Sequence, residues 1–248
     1  MDRVRAKVAR VVEPGLLTAM FDVVTLEIEG VLAETRGLRR DALVRSLAED
    51  DVAISPDEYD AVCAGFPVRQ GALTAVAVRS MPRDDTAVDL IAHRAERYFA
   101  ESASKGLSLV PGALQFVQRA ADVARLGIVT RATRREVDML LSMAGLDTSF
   151  DVVITADDVT SPKPSPEPYE RAIERLNKRR PTRPPRVLAL EDGPLGIMAA
   201  HAVRMRCIAV GNIPAYHAVE ADAYVPSLEG HTVESLAGLV LRGGEWRP

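Results

Sequence analysis

Short runs of apolar residues recur along this 248-residue chain, and the runs lack polar residues at alternate positions. Such runs are typical of strands buried on both faces of a sheet. Segments with helical spacing of apolar residues separate them, as in Val137, Leu140, Leu141 and Ala144. The alternation predicts an α/β fold in which helices cover both faces of a parallel sheet. The predicted strands are 22–28, 126–130, 151–155, 187–190, 207–210 and 223–225.

One long helical stretch interrupts this alternation between the first and second strands. From residue 33 to residue 105 the spacing of apolar residues is mostly helical, and Asp84 begins one helix with a typical capping residue. We therefore expect two parts, an α/β core formed by 1–32 and 106–248 and an inserted α-helical subdomain over 33–105. Residues 1–20 are expected to form a short helix or an arm, with no functional interpretation.

Composition excludes several classes of protein. The apolar fraction of 47% is enough for a sizeable core, and a formal net charge of −4 argues against a dedicated nucleic-acid or anionic-membrane binder. The chain has no apolar run long enough for a transmembrane helix, and its N-terminus does not resemble a signal peptide. Its two cysteines, Cys63 and Cys207, lie far apart and are expected to be buried or half-buried free thiols. These features predict a reduced, cytoplasmic protein.

Two carboxylates follow the first apolar run. Glu27 and Glu29 are two positions apart and precede Gly30, so on an extended strand both side chains would point the same way. The end of a strand is where open α/β sheets bind ligands. Paired glutamates are usually a solvated face, but here the flanking residues are apolar.

Three further polar features also occur where predicted core strands end. Each alone has a more common structural explanation, as a turn residue, a surface charge or a helix cap. Together they place carboxylates, a lysine and a hydroxyl at one edge of the sheet. The features are Thr130, Lys163 within the proline-rich segment 161–169, and Glu191-Asp192.

This combination of side chains is suited to phosphoryl transfer. Converging carboxylates supply the hard oxygen ligands that Mg²⁺ prefers. A lysine and a threonine hydroxyl beside such a cation would hold an anion against it. The basic stretch from Lys178 to Arg186 is interleaved with prolines and is expected to be a solvated loop rather than an anion site.

The order of these features resembles the haloacid dehalogenase (HAD) superfamily over about residues 21–240. The resemblance is closest to the phosphoglycolate phosphatase and β-phosphoglucomutase-like branch. Glu27-x-Glu29-Gly30 corresponds to that family's first motif, in which both acids are normally aspartate, and Lys163 to Tyr169 to its third. Glu191-Asp192-Gly193 corresponds to the fourth motif, with glycine in place of serine. The resemblance implies a Rossmann-like core with a helical cap.

The resemblance also implies roles. Glu27 falls on the nucleophile that becomes phosphorylated, and Glu29 on the general acid/base whose backbone carbonyl also binds Mg²⁺. Thr130 and Lys163 fall on the groups that hold the transferring phosphoryl group. The implied metal ligands are Glu27, Glu29, Glu191 and Asp192, and the weaker candidates for substrate contact are Arg69 and Arg131.

The two glutamates leave the function open. A glutamate carboxylate lies one methylene further from the backbone than an aspartate carboxylate, and a displacement of about 1 Å can slow an in-line attack by ~10²-fold. The first hypothesis is a Mg²⁺-dependent phosphatase acting on a small phosphorylated metabolite. The second is a catalytically impaired protein that binds a phosphorylated ligand or partner, and the third is a sugar-phosphate mutase. Dehalogenase chemistry is disfavoured because it uses no metal. The substrate and the oligomeric state are not readable from the sequence.

Overall fold

The computed structural model describes residues 20–241. Within them six parallel strands form one sheet in the order β3-β2-β1-β4-β5-β6. The first strand, β1, lies between β2 and β4 and is buried along its whole length. The predicted α/β fold is confirmed. The strands are β1 Val23–Leu26, β2 Arg125–Val129, β3 Val152–Ile154, β4 Val187–Glu191, β5 Arg206–Val210 and β6 Ala223–Val225.

Side chains that alternate along the strands form two apolar cores, one on each face of the sheet. Val24 and Leu26 belong to one core together with Phe116, whereas Val23 belongs to the other together with Tyr169. Burial on both faces explains why the strand sequences lack polar alternation. The helices that follow β1 in the core are α5 Ala113–Ala121, α6 Arg134–Ala144, α7 Glu167–Asn177, α8 Pro194–Ala202, α9 Ala215–Ala218 and α10 Val233–Leu241.

Four helices occupy the stretch between β1 and α5. They are α1 Arg36–Ala48, α2 Pro56–Val62, α3 Val68–Val78 and α4 Asp85–Ala103. Their facing side chains form a third apolar cluster that includes Leu43, Tyr59 and Ile91. Tyr98 and Phe99 near the end of α4 instead join a core on the sheet. The predicted helical content of 33–105 is therefore observed, and its role as a separate subdomain stays a prediction.

Several smaller expectations are met, and several boundaries differ by one or two residues. Cys63 and Cys207 are buried free thiols. Asp84 caps α4 by accepting a hydrogen bond from the backbone N–H of Ala87. The first strand ends at Leu26 rather than 28, and α7 begins at Glu167, one residue after Pro166.

The basic segment lies largely in solvent, as expected. Lys178, Arg179, Arg180 and Arg183 are exposed, whereas Arg186 is half-buried and forms an ion pair with Asp22. Among residues 20–241, none of the helices combines the length and the apolar character needed to cross a membrane. The expectation for residues 1–20 falls almost entirely outside the described part of the chain.

Candidate active site

The polar residues that follow the core strands converge on one cleft at the carboxyl edge of the sheet. Its volume is about 340 Å³, and it lies between this edge and helices α1 and α2. The side chains that line it include Glu27, Glu29, Lys163, Glu191 and Asp192. Thr130 lies beneath the cleft, where it is buried against Glu27. The structure thus brings together the four features that the sequence placed at strand ends.

The loop after β1 gives the two glutamates different partners. Because the strand ends at Leu26, strand alternation does not extend to Glu27 and Glu29. Gly30 follows with a positive φ of 71°, and a Cβ there would lie 2.7 Å from Cβ of Asp192. Only glycine allows this turn to pack against Asp192.

Glu27 lies at the centre of a hydrogen-bond network. Its Oε2 accepts a hydrogen bond of 2.9 Å from Nζ of Lys163, and its Oε1 accepts one from the Thr130 hydroxyl. Oε1 also accepts a 2.8 Å bond from the backbone N–H of Ile28. Burial alone would raise the pKa of Glu27, but Lys163, Arg131 and the Thr130 hydrogen bond lower it below its ordinary value. Glu27 is therefore a carboxylate at neutral pH.

Glu191 shares the lysine with Glu27. Its Oε1 accepts a 2.5 Å hydrogen bond from Nζ of Lys163 and another from the Tyr169 hydroxyl. Burial raises the pKa of Glu191 to about 7, because Lys163 offsets that effect only in part and Glu27 adds to it. Its second oxygen lies against Gly196, where a Cβ would be only 1.9 Å from Oε2. The absence of a side chain at Gly196 therefore leaves the space that the Glu191 carboxylate occupies.

Glu29 is held by arginines. Its Oε1 accepts a hydrogen bond from Nη2 of Arg131 and lies 3.7 Å from Nε of Arg36. Its Oε2 accepts a 3.1 Å bond from Nε of Arg39. Burial would raise the pKa of Glu29, but Arg131 and Arg39 lower it below the ordinary range.

Arg39 joins this network to a second carboxylate and was not expected from the sequence. Its Nη1 donates to both oxygens of Glu136, at 3.0 and 3.2 Å, and its guanidinium lies 4.8 Å from the centre of the Phe99 ring. Glu136 also closes the capping box of α6 by accepting from the backbone N–H of Thr133. An arginine on an amphipathic helix gives no sequence signal of burial, because its partners lie far away in the chain.

Three carboxylates form a group that suits a hard cation. One oxygen from each of Glu27, Glu191 and Asp192 lies within 4.8 Å of the others, and all three residues are buried. Burial raises the pKa of Asp192 although Arg131 opposes the rise, and its Oδ2 accepts a 3.0 Å bond from Arg36. Three buried carboxylates supply the hard oxygen ligands that a divalent cation prefers, so these residues fit Mg²⁺. The carboxylate of Glu29, the fourth predicted ligand, is outside the group and faces the arginines.

The two predicted substrate arginines differ in position. Arg131 lines the cleft, and its buried Nε has no hydrogen-bond partner in the described part of the chain. Arg69 does not line the cleft. Its exposed guanidinium instead binds Asp85 at 2.8 Å and Asp89 at 2.6 Å on α4.

Comparison with known proteins places this site in a family. The sequence pattern of the haloacid dehalogenase-like hydrolase family matches residues 24–210, which include all the residues of the cleft up to β5. The chain belongs to the haloacid dehalogenase-like hydrolase family. It is 30% identical to protein CbbY of Rhodobacter capsulatus over 190 residues, which cover 73% of this chain and 82% of that protein.

A second sequence relative and a solved structure match more of the chain. Validoxylamine A 7′-phosphate phosphatase of Streptomyces hygroscopicus subsp. limoneus is 28% identical over 211 residues, with 84% of this chain and 95% of that protein covered. The crystal structure of β-phosphoglucomutase from Clostridium difficile has a TM-score of 0.77 at 17% identity, and the match covers 90% of this chain and 98% of that one. The latter likeness shows the fold alone.

We predict that Gly196→Ala weakens Mg²⁺ binding by at least ~10-fold, since the new methyl group would displace Glu191. Gly193→Ala is the matched control, because a Cβ at that position meets no atom within 4 Å. Titration calorimetry with Mg²⁺ measures the difference. Equal affinity in the two variants would mean that Glu191 does not hold the cation.

We predict that Arg39→Met lowers the free energy of unfolding by ~3–5 kcal/mol, because Glu29 and Glu136 would lose a shared buried cation. Adding Glu136→Gln should restore part of the loss. Arg69→Met also removes an arginine that bridges two carboxylates, but on the surface, and should cost less than ~1 kcal/mol. Urea unfolding measures all three variants, and similar losses for Arg39→Met and Arg69→Met would contradict the buried network.

Proposed function

We propose that this protein is a Mg²⁺-dependent phosphatase that hydrolyses phosphate monoesters of small metabolites. One observation carries the proposal. The ionised Glu27 is held between Lys163 and Thr130, and it lies beside the carboxylates of Glu191 and Asp192 in an open cleft. A nucleophile, two groups that bind an anion and a ligand set for a hard cation therefore lie together.

The proposed reaction has two steps. An oxygen of Glu27 attacks phosphorus, the bond from phosphorus to the ester oxygen breaks, and the leaving alkoxide takes a proton. Water then attacks the phosphorus of the glutamyl phosphate, which releases phosphate and restores the carboxylate. Glu29 is proposed as the group that moves these protons, and Lys163 and Thr130 as the groups that hold the phosphoryl oxygens.

Mg²⁺ would be held by Glu27, Glu191 and Asp192, with the backbone carbonyl of Glu29 as a further proposed ligand. When bound it would neutralise the charge of the transferring phosphoryl group. Arg131, which lines the cleft, is proposed as a substrate contact. Arg69 is occupied by Asp85 and Asp89, so any contact that it makes with substrate would require those two ion pairs to break.

The conformation of Glu27 supports its proposed role as the nucleophile. Its Oε1 accepts a hydrogen bond from the backbone N–H of Ile28, so the side chain bends back toward its own backbone while it still lines the cleft. Folding back takes up the additional methylene. We propose that this conformation compensates for the longer side chain of glutamate.

Size and similarity support a small phosphorylated substrate. The cleft of about 340 Å³ is near the lower end of the ~300–1,000 Å³ that is typical of small-molecule sites. One relative is named as the phosphatase of validoxylamine A 7′-phosphate. We also propose a cytoplasmic location, which the two free buried thiols favour.

A second candidate is a protein that binds phosphorylated ligands without turnover. The three arginines around Glu29 favour it, because a carboxylate that they hold ionised is a poor proton donor. A sugar-phosphate mutase would depend on Glu29 in the same way.

The test is a screen of small phosphate esters with and without Mg²⁺, using Asp192→Asn as the control. We expect Mg²⁺-dependent release of phosphate that this variant abolishes. If the native protein shows no release at enzyme levels able to detect a ~10⁴-fold loss from a typical ~10 s⁻¹ rate, hydrolysis is excluded. Gain of large activity in the double variant Glu27→Asp with Glu29→Asp would then favour the binding protein.

A further inference from the structure

The charges on the wall of the cleft limit what a substrate can carry besides its phosphate. Five carboxylates line it, and they are Glu27, Glu29, Asp60, Glu191 and Asp192. The basic side chains that line it are Arg36, Arg131, Lys163 and His217. Even if His217 is counted as charged, the cations do not outnumber the carboxylates.

The cations are also committed to carboxylates. Lys163 binds Glu27 and Glu191, Arg131 binds Glu29, and Arg36 binds Asp192. A divalent cation would add two positive charges, and a phosphate dianion would add two negative ones. The wall therefore has no positive surplus for a second anionic group, with or without the metal.

The side of the cleft formed by the helical segment presents an acid. The residues of this segment that line the cleft, apart from Arg36, are Asp60, Ala64 and Gly65. Asp60 is exposed on α2, and between residues 20 and 241 its carboxylate has no hydrogen bond or ion pair. Arg69, seven residues after Val62, is turned away from the cleft toward Asp85 and Asp89.

We infer that the substrate is the phosphate ester of an uncharged or amine-bearing polyol, and that Asp60 selects against a carboxylate or a second phosphate. This inference rests on the proposed function. A hydroxyl or ammonium group can donate to Asp60, whereas an anionic group would lie next to an unpaired carboxylate.

Three phosphate esters, each with six carbon atoms, test the inference. They are glucose 6-phosphate, glucosamine 6-phosphate and 6-phosphogluconate, in which the group far from the phosphate is neutral, cationic or anionic. We expect kcat/KM for 6-phosphogluconate to be at least ~5-fold below that for glucose 6-phosphate, and glucosamine 6-phosphate to equal or exceed the latter. A kcat/KM for 6-phosphogluconate equal to or above that for glucose 6-phosphate overturns the inference.

Reversing one charge tests the role of Asp60. Asp60→Lys should raise kcat/KM for 6-phosphogluconate relative to glucosamine 6-phosphate by ~10-fold or more. Asp57→Lys is the matched control, since Asp57 is exposed on the same helix but does not line the cleft. If Asp57→Lys changes the ratio as much as Asp60→Lys, Asp60 is not the selective group.

Binding separates this inference from the proposed function. If none of the three esters is hydrolysed faster than by the Asp192→Asn control, the proposal that this protein hydrolyses esters of this class is wrong. Calorimetric titration of the same three esters in Mg²⁺ then decides the inference. Weaker binding of 6-phosphogluconate than of glucose 6-phosphate supports selection by charge, and equal or tighter binding overturns it.

Discussion

Lys163 is the cation on which the rest of the site depends. Its ammonium group is buried between Glu27 and Glu191 and also donates to the backbone carbonyl of Val129 at the end of β2. Burial lowers the pKa of Lys163, but the two carboxylates more than reverse this, so the lysine stays charged. Buried carboxylates are costly unless they are paired. Without this lysine, the ends of β1 and β4 would bring two buried carboxyl groups within 4.8 Å of each other with no cation between them.

A second buried cation plays the same part on the other side of the cleft. Arg39 lies on α1 and joins Glu29, in the loop after β1, to Glu136, in the first turn of α6. Because the planar guanidinium presents separate donors, one side chain can hold a carboxylate from a loop and another from a helix. The site is thus positioned by ion pairs that span the sequence, on a sheet whose own packing is apolar.

Much of this arrangement was predictable from local patterns. The apolar runs identified the strands, and the polar residues at their ends identified Glu27, Thr130, Lys163, Glu191 and Asp192. Local pattern was not sufficient where the outcome depended on distant partners. It did not identify Arg39, because burial of that side chain requires Glu29 and Glu136 together. It also did not show that Arg69 binds Asp85 and Asp89, or that the strand alternation stops before Glu29.

The central claim is that a glutamate at position 27 accepts the phosphoryl group. The most direct measurement is mass spectrometry of the peptide containing Glu27 after acid quenching of the protein during reaction with an ester and Mg²⁺. The account predicts a phosphate adduct on Glu27 in the native protein and its loss in Glu27→Gln. Turnover without any adduct on Glu27, or an adduct on another residue, would contradict it.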